Sequence, residues 1–163
     1  MSDLILLLPE LVLVGMALVL IVIARHVQRA QSVAICVVIA AAAAIYSGWA
    51  FSGGGPRTGF GGTISNDGYS QFFNVLFAAT LALAALLSVK HVDAERVRPG
   101  EFYALLVLAS TGMMLAASAT DLLIVYLGLE LMTMCSYIMV GITREKSISN
   151  EAAIKYFLLA SFA

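Results

Sequence analysis

The feature of this 163-residue chain that most invites chemistry is an acidic side chain in the middle of a long apolar run. Glu130 follows Asp121 by nine residues, which at about 1.5 Å per helical residue puts it roughly 13 to 14 Å below the start of that helix, near a bilayer midplane. Insertion scales price a carboxylate there at about 2.5–3.5 kcal/mol, so it persists when it is paired, protonated or in contact with an internal polar path. Burial disfavours its charged form and a neighbouring ammonium favours it. A group balanced between the two can load and release a proton when its partner moves. Tyr126, Thr133 and Tyr137 fall at i−4, i+3 and i+7 from Glu130, gathering hydroxyls onto one helical stripe that is expected to face a bundle interior. The open alternative is a permanently neutral Glu130 that only hydrogen-bonds a neighbouring helix.

Two further charges lie within apolar runs. Lys155, in residues 150–157, is expected 6 to 9 Å into its segment, where it either joins a charge path or snorkels to the interface. Glu10 stands beside Pro9, a turn or two into the first run, where proline can kink a helix and leave a carbonyl unpaired. A functional and a structural role are both open for it. Other signals are weaker. The glycine-rich residues 53–62 lack the Lys-Ser/Thr ending and flanking strand of a phosphate loop. His26 and His91 sit at run ends beside basic residues, with no second His or Cys at ligand spacing. Cys36 and Cys135 lie in apolar runs without CxxC spacing and are expected to be buried small hydrophobes. Met132, Met134 and Met139 read as packing. No Ser/His/Asp set, paired-carboxylate site or haem ligation pattern appears, so no cofactor or metal is assigned to this chain.

These residues need elements to hold them, and composition says which. Hydrophobic residues make up 61% of the chain and charged ones 12%, against roughly 45–50% and about 25% in soluble domains. A water-soluble globular protein is excluded. Nine Lys plus Arg against ten Asp plus Glu leave a net charge of −1, which excludes a nucleic-acid partner drawn by basic surplus. Apolar runs at about 4–24, 32–52, 69–89, 102–119 and 121–142 reach the roughly 18–20 residues that cross a bilayer, and a sixth run, 151–163, is too short to cross. They are about twice the 9–11 residues of a barrel strand and lack its alternation. The expected fold is an all-α polytopic transmembrane helix bundle forming one domain over 1–163, with five full spans and the start of a sixth.

The connections complete the expectation. Residues 53–68 carry turn chemistry and read as an extramembrane loop, and residues 90–101 are too charged for lipid. Residues 118–121 must reverse the chain, with Thr120 or Asp121 capping the next helix. The small residues Ala40 to Ala44 allow close helix packing. The N-terminus lacks the basic n-region and cleavage site of a signal peptide, so the first span is expected to be retained. Alternate connections hold seven and one Lys plus Arg, which places the N-terminus and residues 53–68 outside.

The motifs now carry a resemblance. The run Asp121-Leu122-Leu123-Ile124-Val125-Tyr126-Leu127-Gly128-Leu129-Glu130-Leu131, then Ser136-Tyr137 and Gly141, then Glu151-Ala152-Ala153-Ile154-Lys155-Tyr156-Phe157-Leu158-Leu159, resembles the antiporter-like subunits of respiratory complex I. Leu7-Leu8-Pro9-Glu10-Leu11 is similar to the opening of the subunit N branch of NADH:quinone oxidoreductase. The resemblance implies that Glu130 is the fifth-helix glutamate coupled to a lysine on a later helix, and that Lys155 is the sixth-helix lysine near that pair. Such subunits have about fourteen helices, so residues 1–163 match an N-terminal portion. The implied role is proton translocation driven by electron transfer elsewhere, with NADH, FMN, iron–sulfur clusters and quinone held by other subunits. Implied partners are the other membrane subunits, including related antiporter-like ones, with the lipid bilayer and protons. The implied location is a bacterial inner membrane rather than an organellar one. A multisubunit cation/proton antiporter or a membrane-bound hydrogenase is the alternative within the same fold.

Overall fold

The computed structural model describes residues 2–24, 29–51 and 57–162. Among them the chain forms α1 (Ser2–Leu6), α2 (Leu8–Ile23), α3 (Ala30–Phe51), β1 (Arg57–Gly59), β2 (Ile64–Asn66), α4 (Gly68–Ala94), α5 (Pro99–Ser118), α6 (Leu122–Val140) and α7 (Ser147–Ser161). It is a polytopic helix bundle. By length and apolar composition, α3, α4, α5 and α6 can each cross a membrane.

The first expected span is divided. Helix α2 restarts after Leu7, and the cause is Pro9, which lacks an N–H and whose ring would clash with the carbonyl of Ile5 in a continuous helix. In the first turn of a new helix the same residue is favourable. Leu11 N–H donates to the Leu7 carbonyl at 2.8 Å, closing the first turn of α2. At 16 residues α2 is shorter than a full span.

Residues 90–101, expected as a polar connection, are mostly helical. Helix α4 runs on through Lys90, His91 and Asp93 to Ala94, and α5 starts at Pro99. Helicity needs only backbone hydrogen bonds, so a charged helix end can project beyond the apolar length. The loop expected at 53–68 is likewise more ordered over its described part. Strands β1 and β2 pair antiparallel, Arg57 opposite Asn66 and Gly59 opposite Ile64. Gly61 (φ 71) and Gly62 (φ 92) turn the chain between them in a conformation that side chains disfavour.

Side chains start the helices that follow. Asp67 accepts from Ser70 N–H while its own N–H donates to Ser70 Oγ, both at 2.9 Å, a reciprocal cap on α4. Of the two cap candidates for α6, Asp121 serves, accepting from Leu123 N–H at 2.8 Å. Thr120 instead holds the hairpin: its N–H donates to Thr63 O at 2.9 Å and its hydroxyl donates to Gly62 O.

Helices α2, α3, α4 and α5 pack as a closed ring, α6 lies against α5, and α7 against α6. The ring is filled by residues such as Leu13, Val37, Leu81, Tyr103 and Val107, all fully buried. In the small-residue stretch, Ala41 and Ala44 face inward while Ala42 and Ala43 face outward. Cys135 is buried as expected, but Cys36 is exposed, because it falls on the side of α3 turned away from the ring.

Candidate functional site

Helix α6 is oriented by its contact with α5. Gly128 is buried at a crossing where a Cβ would lie 2.7 Å from the Gly112 carbonyl oxygen and 2.8 Å from Ala116 N. Cys135, two turns on, is buried on the same side. Glu130 is two residues past Gly128 and therefore roughly 200° around the helix, away from α5. The stripe expected to face the bundle interior faces outward from the ring. Tyr126 is 57% exposed and Glu130 and Thr133 are half-buried. Helical periodicity collects these residues on one face, but the demand for glycine at the α5 crossing decides which face turns inward.

Within the stripe the Tyr126 hydroxyl lies near the Glu130 carboxylate one turn away. Thr133 does not reach that carboxylate, since its hydroxyl donates to the Glu130 backbone carbonyl at 3.1 Å. Tyr137 is buried by α7, packing edge-on against Tyr156 and Phe157 with ring centroids 4.9 and 5.6 Å apart. Lys155 lies on the same helix as those rings but pairs with Glu151 on an exposed face. Helix α7 begins at Ser147 rather than near Glu151, so Lys155 is about 12 Å into it, deeper than expected. Among the described residues Lys155 forms no ion pair with Glu130.

Among the described residues the most deeply buried ionisable side chain that is acidic or basic is Glu10. It is 4% exposed, and its Oε1 accepts from Asn74 Nδ2 at 3.3 Å and from Ser118 Oγ at 3.5 Å. Three helices meet there: α2, α4 and the C-terminal end of α5. Glu10 Oε2 and Asn74 Oδ1 have no donor among the described residues. The sequence reading singled out neither Asn74 nor Ser118. An amide two turns into an apolar helix was the available signal for Asn74, because a buried amide needs partners as a buried charge does. Beside this cluster, Pro9, Gly48, Asn66, Gln71, Asn74 and Met114 help to line a cavity of about 60 Å³.

Charge concentrates at the opposite end. Lys146, in the α6–α7 connection, pairs with Glu95 at the end of α4, and Arg98 with Glu101 at 2.9 Å. The Lys146 hydrogen bond and charge hold the Glu95 carboxyl below its ordinary 4.5, with His91 adding to the effect and burial opposing it. The Lys/Arg-rich residues 90–101 and 143–150 thus share one end. The hairpin and residues 119–121 share the other, where Ile64 bridges to Ala119. His26 lies outside the described residues, and so do Gly53 to Pro56 of the glycine-rich stretch.

The chain resembles known proteins along most of its length. A family model described as "NADH:quinone oxidoreductase/Mrp antiporter, TM" matches residues 119–163. NADH-quinone oxidoreductase subunit N 2 of Rhizobium meliloti is 36% identical over 160 residues, covering 94% of this chain and 32% of that protein. Subunit N of Trichlorobacter lovleyi is 34% identical over 160 residues, covering 95% and 32%. Subunit N 2 of Solibacter usitatus is 42% identical over 106 residues, covering 65% and 22%. The chain therefore spans a third or less of the length of these relatives.

Proposed function

The chain is a homologue of the NADH-quinone oxidoreductase subunit N family of antiporter-like membrane subunits, and from that premise we propose that it forms part of a proton-translocating subunit of such a complex. Helices α1 and α2 together make one crossing and α3 to α6 four more, α7 begins a sixth, and the N-terminus lies outside, in a bacterial inner membrane. Electron transfer from NADH to quinone occurs in other subunits, which hold FMN and the iron–sulfur clusters. The energy reaches this chain as a change in charge pairing.

The observation that carries the reading is a half-buried glutamate mid-way along α6, in a chain 36% identical to a subunit N over 160 residues. Glu130 is the switchable carboxylate. Paired with an ammonium from a later helix it stays ionised, and separation from that cation favours its protonated form and frees the cation's proton to move on. The outward-facing stripe supports this, because a later helix can pack on it beside Glu130 while α5 occupies the other side. Tyr126, one turn away, places a hydroxyl beside the carboxylate. Lys155 is the next cation along the path, and its present partner Glu151 makes it a group that can change partners.

The test is Glu130→Gln in the full-length subunit within its assembled complex. Proton translocation falls while the complex still assembles; unchanged translocation removes Glu130 from the path. The second reading is a subunit of a multisubunit cation/proton antiporter, which the matched family model's description names beside NADH:quinone oxidoreductase. Copurification with NADH-oxidising peripheral subunits supports the first reading, and consistent isolation without them supports the second.

A further inference from the structure

The cluster around Glu10 contains two acceptor oxygens in want of a donor. Glu10 Oε2 and Asn74 Oδ1 are both buried and unpartnered among the described residues, although the two side chains already meet through Asn74 Nδ2 and Glu10 Oε1 at 3.3 Å. A carboxylic acid and a primary amide are complementary in both directions: amide N–H to acid carbonyl, and acid O–H to amide carbonyl. One added proton on Oε2 turns that acceptor into a donor and, given to the Asn74 Oδ1, would satisfy both oxygens. An ionised Glu10 would instead keep only uncharged donors, among them Asn74 at 3.3 Å and Ser118 at 3.5 Å.

No cation among the described side chains offsets a charge at this depth. Helix α2 has no other ionisable residue. On α3, Cys36 and Tyr46 are exposed, and Tyr69 of α4 is exposed. Lys90, His91 and Asp93 of α4 lie about 24 Å or more along the helix from Asn74, and Glu101 and Tyr103 of α5 more than about 20 Å from Ser118. Arg57 on the hairpin and Asp121 before α6 are exposed, and Asp67 is occupied in capping α4. A buried carboxyl without a cation is neutralised rather than held charged.

We propose that Glu10 holds a proton at neutral pH, shared with Asn74 as a closed acid–amide pair between α2 and α4, and that it is a second proton-holding site distinct from Glu130. The cavity lined by Asn74, Gln71 and Asn66 is the exchange route. Its volume of about 60 Å³ exceeds the ~10–15 Å³ that one water needs, and Asn66 and Gln71, hydrogen-bonded to each other at 3.0 Å, give it a polar wall toward the hairpin. Glu10 does not itself line this cavity. In exchange, therefore, the Oε2–H bond breaks and its proton passes to a water that enters from the cavity past Asn74, while the carboxylate left behind keeps the Ser118 donor. Uptake reverses the step. The site's use in transport rests on the proposed function above; its protonation does not.

The test is infrared spectroscopy of the full-length subunit in its complex at pH 7, in wild type and in Glu10→Gln, a near-isosteric change. A protonated-carboxyl stretch that disappears in Glu10→Gln and moves to higher frequency in Asn74→Leu is the expected result. A protonated-carboxyl region identical in wild type and Glu10→Gln, with a carboxylate band lost instead, would overturn the proposal and mean that Glu10 is ionised, with water as its donor. The Glu130→Gln variant keeps the Glu10 band whether or not it still translocates protons, so a failure of the transport reading and a failure of this one are told apart.

Discussion

The backbones of α5 and α6 touch at Gly112 and Gly128: a Cβ on Gly112 would lie 2.6 Å from the Gly128 carbonyl oxygen, and one on Gly128 would lie 2.7 Å from the Gly112 carbonyl oxygen. Small residues let membrane helices approach this closely, where packing and not the hydrophobic effect holds them together. The contact also fixes the rotation of α6, and with it the direction of Glu130.

Gly128→Val should therefore damage two properties at once. Both contacted atoms are backbone, so neither can rotate aside, and overpacking of this kind costs about 1–3 kcal/mol or more. The expected result is a lower melting temperature and less of the subunit recovered in the assembled complex. Wild-type recovery and melting would show that the helices do not meet there.

Tyr126→Phe removes the hydroxyl beside Glu130 and leaves the ring in place. Proton translocation should fall less than in Glu130→Gln, because the carboxyl that takes part in the exchange stays. Lys155→Ala should also act more weakly than Glu130→Gln, and full proton uptake in that variant assigns Lys155 to snorkelling.

The Glu95–Lys146 pair should make the junction between the α4 end and the α6–α7 connection sensitive to acid. The Glu95 carboxyl is lowered from 4.5 in the folded chain, mainly by Lys146. A lowered folded value means that the carboxylate favours the fold above 4.5, and that its contribution fades as pH falls below this and is gone beneath the folded value. Amide exchange in residues 143–150 should accelerate over that window and not between pH 6 and 8. Lys146→Met should abolish the dependence, and high salt should weaken it because the pair is exposed.

Thr120 fastens the hairpin to the α5–α6 turn through its hydroxyl on Gly62 and its N–H on Thr63. Thr120→Val deletes the first and keeps the second, a loss of about 1 kcal/mol. Limited proteolysis should then cut residues 57–66 faster, with helices α2 to α5 undisturbed. An unchanged cleavage rate would mean that the strand pairing and buried Ile64 suffice.

The sequence alone determined what is local or compositional. Apolar runs of membrane-crossing length give the helices α3 to α6, Asp121 supplies the α6 cap, and spacing puts Tyr126, Glu130, Thr133 and Tyr137 on one stripe. The motifs around Glu130 and Lys155 carry the family likeness for the same reason, since they are short stretches on single helices. Tertiary structure decided everything that depends on which side of a helix meets protein. In a membrane chain, leucine facing lipid and leucine facing a neighbour are equally content, so hydropathy holds little record of the difference. Cys36 turned outward and the Glu130 stripe turned away from α5 could not be read from composition. Glu10 shows the limit most clearly. Its partners Asn74 and Ser118 stand 64 and 108 positions away, and only the closing of α2, α4 and α5 into one ring brings their polar atoms to a carboxyl that by itself looked like part of a proline kink.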